Sequence, residues 1–187
     1  MGRPDHGGDL GAGKRKRRRP LDLSRPIHLV LKSKRARGHW SLLHHQNRAR
    51  VDRIIFGRAE AHGVKVYRTA NVGNHLHLLV KAPTRAQFGN FLRAISALIS
   101  RAITGAKKGN PVGRFWDALA YTRVIHWGRH FEALKAYLGK NRLEAVGFGG
   151  ARLRLRPNGE AVVVIGELGP DEPREVRVRV EKLIRGG

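Results

Sequence analysis

The chain contains no cysteine, a single methionine and few acidic residues. Without cysteine there is no disulfide framework and no thiolate metal site, so any metal must be held by nitrogen and oxygen donors. No apolar run approaches the roughly 20 residues that span a bilayer. The basic N-terminus lacks the apolar stretch of a secretory signal. These absences point away from the membrane and toward the cytoplasm. Acids are scarce: 14 Asp and Glu stand against 38 Lys and Arg, a formal net charge of +24. Such an excess draws a chain to polyanions, and nucleic acid comes first because phosphate contacts from Lys and Arg dominate that kind of affinity. Aromatics make up only 6% of the residues, which disfavours a surface built on base stacking. What remains is 187 residues, 41% of them hydrophobic, enough for one domain with a real core and tails.

The chain divides into three. Residues 1–25 read as a disordered basic arm, with Lys14 to Arg19 an unbroken basic run suited to phosphate contact. Residues 26–148 carry the periodic patterns of a folded domain. A strand is expected at Pro26–Lys32, then a helix from about Ser41 to His62 with Leu43, Val51, Ile54, Ile55 and Ala59 roughly on one face and Gly63 as its stop. Strands at Val64–Ala70 and His75–Lys81 flank the turn Asn71–Asn74. A second helix opens at Pro83–Thr84, with a stripe from Phe88 to Ile103. A Gly- and Lys-rich loop, a strand at Ala118–Trp127 and a last helix from Arg129 complete the domain. The order β-α-β-β-α-β plus one helix is α+β and ferredoxin-like: an antiparallel sheet with helices on one face and an additional C-terminal helix. Residues 149–187 read as a β-rich extension, with a hairpin turn at Asn158-Gly159.

The stretch "NHLHLLV" carries the chemistry. On a strand, side chains alternate between faces. Leu76, Leu78 and Val80 then face the helices, while His75, His77 and Leu79 share the other side. Two imidazoles on one surface are too few for a closed zinc site. With oxygen donors they suit an open Mg2+ or Mn2+ site that accepts phosphate. The commoner role of such a pair is structural, so a nucleophile and a further ligand must face the strand. The last helix offers both: Tyr137 and Asn141 lie one turn apart on one face, with Lys135, Lys140 and Arg142 nearby for phosphate. Tyr67 and Tyr121 fall in expected strands and read as packing residues.

These blocks in this order, "NHLHLLV", the helix after it, "RFWDALAYTRVI" and "ALKAYLGKN", resemble the single-tyrosine HUH transposases, in particular the REP-associated tyrosine transposases. The resemblance spans about Leu23 to Phe148. It implies a ferredoxin-like catalytic domain at 26–148 and cleavage of single-stranded DNA through a 5′-phosphotyrosine, with hairpin recognition. It implies Tyr137 as nucleophile and His75, His77 and Asn141 as ligands of Mg2+ or Mn2+. It implies single-stranded or hairpin DNA as partner, a homodimer in some relatives and a monomer in others, and a place at the nucleoid in the bacterial cytosol. Relatives often have Met-Pro-Asn before the first histidine, where this chain has Val72-Gly73-Asn74, and Pro after the helix Asn, where it has Arg142. Two alternatives compete: a ferredoxin-like nucleic-acid-binding module without chemistry, and a decayed transposase that still binds DNA.

Overall fold

The computed structural model describes residues 21–145 and 147, together with the backbone of three short strands in the C-terminal extension. The elements run β1 (Ile27–Lys32), a 3-10 turn at Gly38–Trp40, α1 (His45–Ala61), β2 (Lys65–Asn71), β3 (His75–Lys81), α2 (Arg85–Thr104), β4 (Tyr121–Val124) and α3 (Arg129–Ala145). The sheet order is β2-β3-β1-β4, and each pair of neighbours is antiparallel. This is the split βαβ arrangement: β3 lies between β1 and β2.

Local chemistry sets the ends of the elements. α1 closes in a Schellman motif: Gly63, at φ +61°, donates to the Glu60 carbonyl, and Val64 donates to the Ala59 carbonyl. Thr84 caps α2 by accepting from the Gln87 amide at 3.1 Å, and the Gln87 side chain lies against the Thr84 hydroxyl at 2.8 Å. α1 begins at His45, four residues later than the pattern predicts, because 41–44 is an ordered turn. There the Asn47 side-chain amide donates to the His39 and Ser41 carbonyls. β4 is shorter than the expected Ala118–Trp127. The segment follows β1 at both ends, with Asp117 donating to the Lys32 carbonyl and Ile125 to the Pro26 carbonyl. A bend at 116–119 carries the backbone off the ladder between those points.

Two apolar layers lie on opposite faces of the sheet. The larger joins Ile27, Leu29, Leu31, Leu76, Leu78 and Val80 to the buried stripes of α1 and α2. The smaller joins Ala70 and Leu79 to Ile125, Phe131 and Leu138, so α3 covers part of the other face. Residues 21–25, expected in the arm, pack on the domain: Leu21 lies against the main core and the Trp127 indole donates to the Ser24 carbonyl. The basic run 14–19 and the turn at 158–159 lie outside the described residues. In the extension, β5 (Arg152–Leu155), β6 (Ala161–Val164) and β7 (Glu175–Val176) form a small antiparallel sheet.

Candidate active site

β3 spans His75–Lys81, the bounds its alternation predicts. Leu76, Leu78 and Val80 are fully buried beneath α1 and α2, and His75 and His77 stand half-buried on the opposite face. Their rings lie 6.0 Å apart between centroids and nearly parallel. The turn before the strand is pinned on both sides. Asn71 donates through its side chain to the Leu42 carbonyl and accepts from the Gly73 amide. Leu42 donates to the Gly73 carbonyl and Ser33 to the Asn74 carbonyl. The Asn74 side-chain oxygen lies 2.7 Å from His75 Nδ1, which donates to it and leaves Nε2 as the ring's open lone pair.

The docking of α3 brings the helix tyrosine to the histidines. Leu138 is fully buried in the smaller apolar cluster, while the adjacent Tyr137 is 53% exposed and stands edge-on to the His77 ring at 6.5 Å. His75, His77 and Tyr137 therefore meet on one face. Asn141, one turn further along the same helix, is half-buried. Among the described residues no group of three or more His, Cys, Asp or Glu is arranged to hold a metal. The expected ligand set contains only two such groups, completed by an amide.

Burial is the main force on the imidazoles. It pushes His77 down to about 4, helped by the nearby His75, and pushes His75 down together with the Lys32 charge while Asp117 opposes. Both rings are then neutral near pH 7, the state a metal ligand requires. Neutral imidazole nitrogens, with His75 Nδ1 engaged by Asn74, are donors that suit a divalent cation.

Three features of this face escape the sequence reading. His28, on β1, stacks on His77 at 5.4 Å, with Nε2 3.2 Å from His77 Nδ1. The alternation of "PIHLVLK" carries that signal: Ile27, Leu29 and Leu31 are core, so His28, Val30 and Lys32 must face the other way. Tyr121, expected to pack, pairs with Val30 and presents its ring edge to His28, so it belongs to the histidine face. With Lys32, Lys34, His75 and Asp117 it lines a cleft of ≈ 620 Å³. Tyr67 does pack, against Phe131 and Trp127.

Two of the three cations expected to attract phosphate to α3, Lys135 and Lys140, are engaged in place. Lys135 pairs with Glu132 at 2.8 Å and Lys140 with Glu144 at 3.6 Å. Open positive charge collects instead at the end of α2, where Arg101, Lys107 and Lys108 line a second cleft of ≈ 750 Å³. Arg93 lines a separate groove beside Arg114 and Trp116.

The sequence profile described as "Transposase IS200 like" matches residues 24–141. The chain belongs to the IS200-like transposase family. The matched span runs from the entry to β1 through Asn141, so it includes every candidate site residue. A solved structure described as a transposase of Deinococcus radiodurans R1 is 18% identical over 69% of this chain and 95% of that one, with a TM-score of 0.42, too distant to bear on the chemistry. No curated protein matches. A transposase of this family acts on DNA. No helix among the described residues is long and apolar enough to cross a membrane.

Proposed function

We propose that this IS200-like transposase is a metal-dependent single-stranded DNA endonuclease and strand transferase that works through a 5′-phosphotyrosine at Tyr137. The observation that carries the reading is the exposed Tyr137 ring standing over His77 on the histidine face of the sheet. His75 and His77, through their Nε2 atoms, and the Asn141 amide oxygen would hold Mg2+ or Mn2+. When bound, the cation supplies positive charge at the scissile phosphate.

The remaining steps belong to the chain. Tyr137 Oη forms a bond to phosphorus as the bond from phosphorus to the 3′-oxygen breaks. The phenol proton passes to water, and the departing oxygen takes a proton from water to become a 3′-hydroxyl. Rejoining is the reverse: a 3′-hydroxyl attacks the phosphotyrosine and releases the phenol, so no nucleotide cofactor is consumed. Lys32 and Lys34 beside His75 are placed to receive DNA phosphates, and the Arg101, Lys107 and Lys108 cleft suits the stem of a folded hairpin. A module that stacks bases on a bare sheet is a poorer reading, because Leu79 on that face lies buried beneath Phe131 and Leu138. Tyr137 and His77 meet within one chain, which supports action in cis.

The test is a hairpin-bearing single strand incubated with the protein and Mn2+, then run on a denaturing gel. Tyr137→Phe should keep DNA affinity and lose the covalent adduct, and Tyr121→Phe should retain the adduct. An adduct that survives Tyr137→Phe and vanishes in Tyr121→Phe assigns the nucleophile to β4 and overturns the reading.

A further inference from the structure

His28 touches none of the groups that would react, yet it meets His77 more closely than any other ring does. β1 and β3 pair so that His28 lies opposite Leu79 and His77 opposite Val30. The two histidines are therefore diagonal neighbours on one face, within reach of each other. Their rings are 15° from parallel, and the facing atoms are His28 Nε2 and His77 Nδ1, 3.2 Å apart. Between two neutral imidazoles, that distance is a hydrogen bond carrying one proton, and the proton has two homes. If it sits on His28 Nε2, then His77 carries its own proton on Nε2 and cannot ligate. If it sits on His77 Nδ1, His28 accepts, and the His77 Nε2 lone pair is free.

The neighbouring histidine shows which arrangement makes the pair work together. His75 Nδ1 is already committed to the Asn74 side-chain oxygen at 2.7 Å, so its Nε2 is the open atom. Two strand neighbours can offer matched nitrogens only if His77 is in the same tautomer. We propose that His28 is a positioning residue whose Nε2 accepts the Nδ1 proton of His77 and so fixes the His77 tautomer that can ligate a divalent cation. The inference rests on the metal role of His75 and His77 proposed above. It assigns β1 a part in the site that neither the histidine pair nor the tyrosine helix supplies.

The experiment uses the full chain and two readouts. The first needs no metal: long-range ¹H–¹⁵N spectra of the histidine rings in the presence of EDTA. Wild type should show His77 protonated on Nδ1, and His28→Phe, which keeps a flat ring but offers no acceptor, should move that proton to Nε2. The second is Mn2+ affinity by electron paramagnetic resonance. His28→Phe should bind about 10- to 100-fold more weakly, as the loss of an outer-shell partner does. His28→Gln, whose side-chain oxygen can accept, should stay within a few-fold of wild type. Wild-type His77 protonated on Nε2 overturns the proposal outright. So does His28→Phe that binds Mn2+ like wild type while His75→Ala does not, and in that case the metal site itself stands. If wild type binds Mn2+ no better than His75→Ala, the metal role fails and this inference falls with it.

Discussion

Replacing Leu138 by Ala tests whether α3 is a separately docked unit that delivers Tyr137. Leu138 is fully buried, and it sits with Ala70, Leu79, Ile125 and Phe131 in a small cluster on the face opposite the main core. The change removes three carbons, about 2.4 kcal/mol of transfer free energy at about 0.8 kcal/mol per group. The cavity left behind raises the total to about 3–4 kcal/mol. That corresponds to more than about a 100-fold rise in the fraction of time α3 spends undocked. Native-state hydrogen exchange should report it: amides of α3 should exchange faster by that factor, while those of β1 and β3, held by the larger core under α1 and α2, keep their protection. The covalent adduct should fall with α3 protection, because Tyr137 precedes Leu138 directly. If protection in α3 and β3 drops by one common factor, α3 unfolds only with the whole domain and the docking argument is refuted.

His75→Ala and His77→Ala should each abolish Mn2+-dependent cleavage with DNA affinity nearly unchanged; a double variant that cuts like wild type removes the metal assignment. In EDTA, stability should fall as pH drops, because burial holds His28 and His77 near 4, below the ordinary 6.5. The unfolded chain therefore binds more protons between pH 6.5 and 4, and stability present above 6.5 is lost through that window, on the order of 3 kcal/mol for each of the two rings. Urea midpoints should show His77→Ala with a shallower decline than wild type, and an equally steep one is the contrary result. Deleting Lys14–Arg19 should lower affinity for all single strands and flatten the salt dependence by roughly 0.7 for each phosphate the run neutralises. An unchanged slope means that the run neutralises none.

The parts of the fold that the sequence revealed are those governed by short-range periodicity. β3 matches its pattern residue for residue because apolar and polar side chains alternate along it, and the Phe88-to-Ile103 stripe marks the buried side of α2. That His75, His77 and the Tyr137 helix share one face was legible. Tyr121 was not, because which face a β4 residue takes depends on its register with β1. That register is set across the long 105–120 connection, which carries no repeating pattern. His28 was legible in principle, since the parity of β1 fixes its face without any register. The engagement of Lys135 and Lys140 was equally readable: Glu132 and Glu144 lie three and four residues away, the spacings at which helix side chains meet.

The turn at Gly73 shows how hydrogen bonds set the geometry ahead of the first histidine. Proline would confine φ to about −65° at this position. Gly73 sits at φ +87°, where an added Cβ would also lie 3.2 Å from the Ser41 hydroxyl. The turn thus follows a path that proline cannot take, and its rigidity has to come from elsewhere. Asn71 supplies it, tying Leu42 on one side and the Gly73 amide on the other, while Ser33 holds the Asn74 carbonyl. Those bonds fix Asn74, and Asn74 fixes the His75 ring. Hydrogen bonds from three segments thereby do what a constrained ring does by covalent structure. The first histidine is then oriented from the turn and the second from β1, so the pair is set by contacts outside β3, while β3 itself supplies only their spacing and common face.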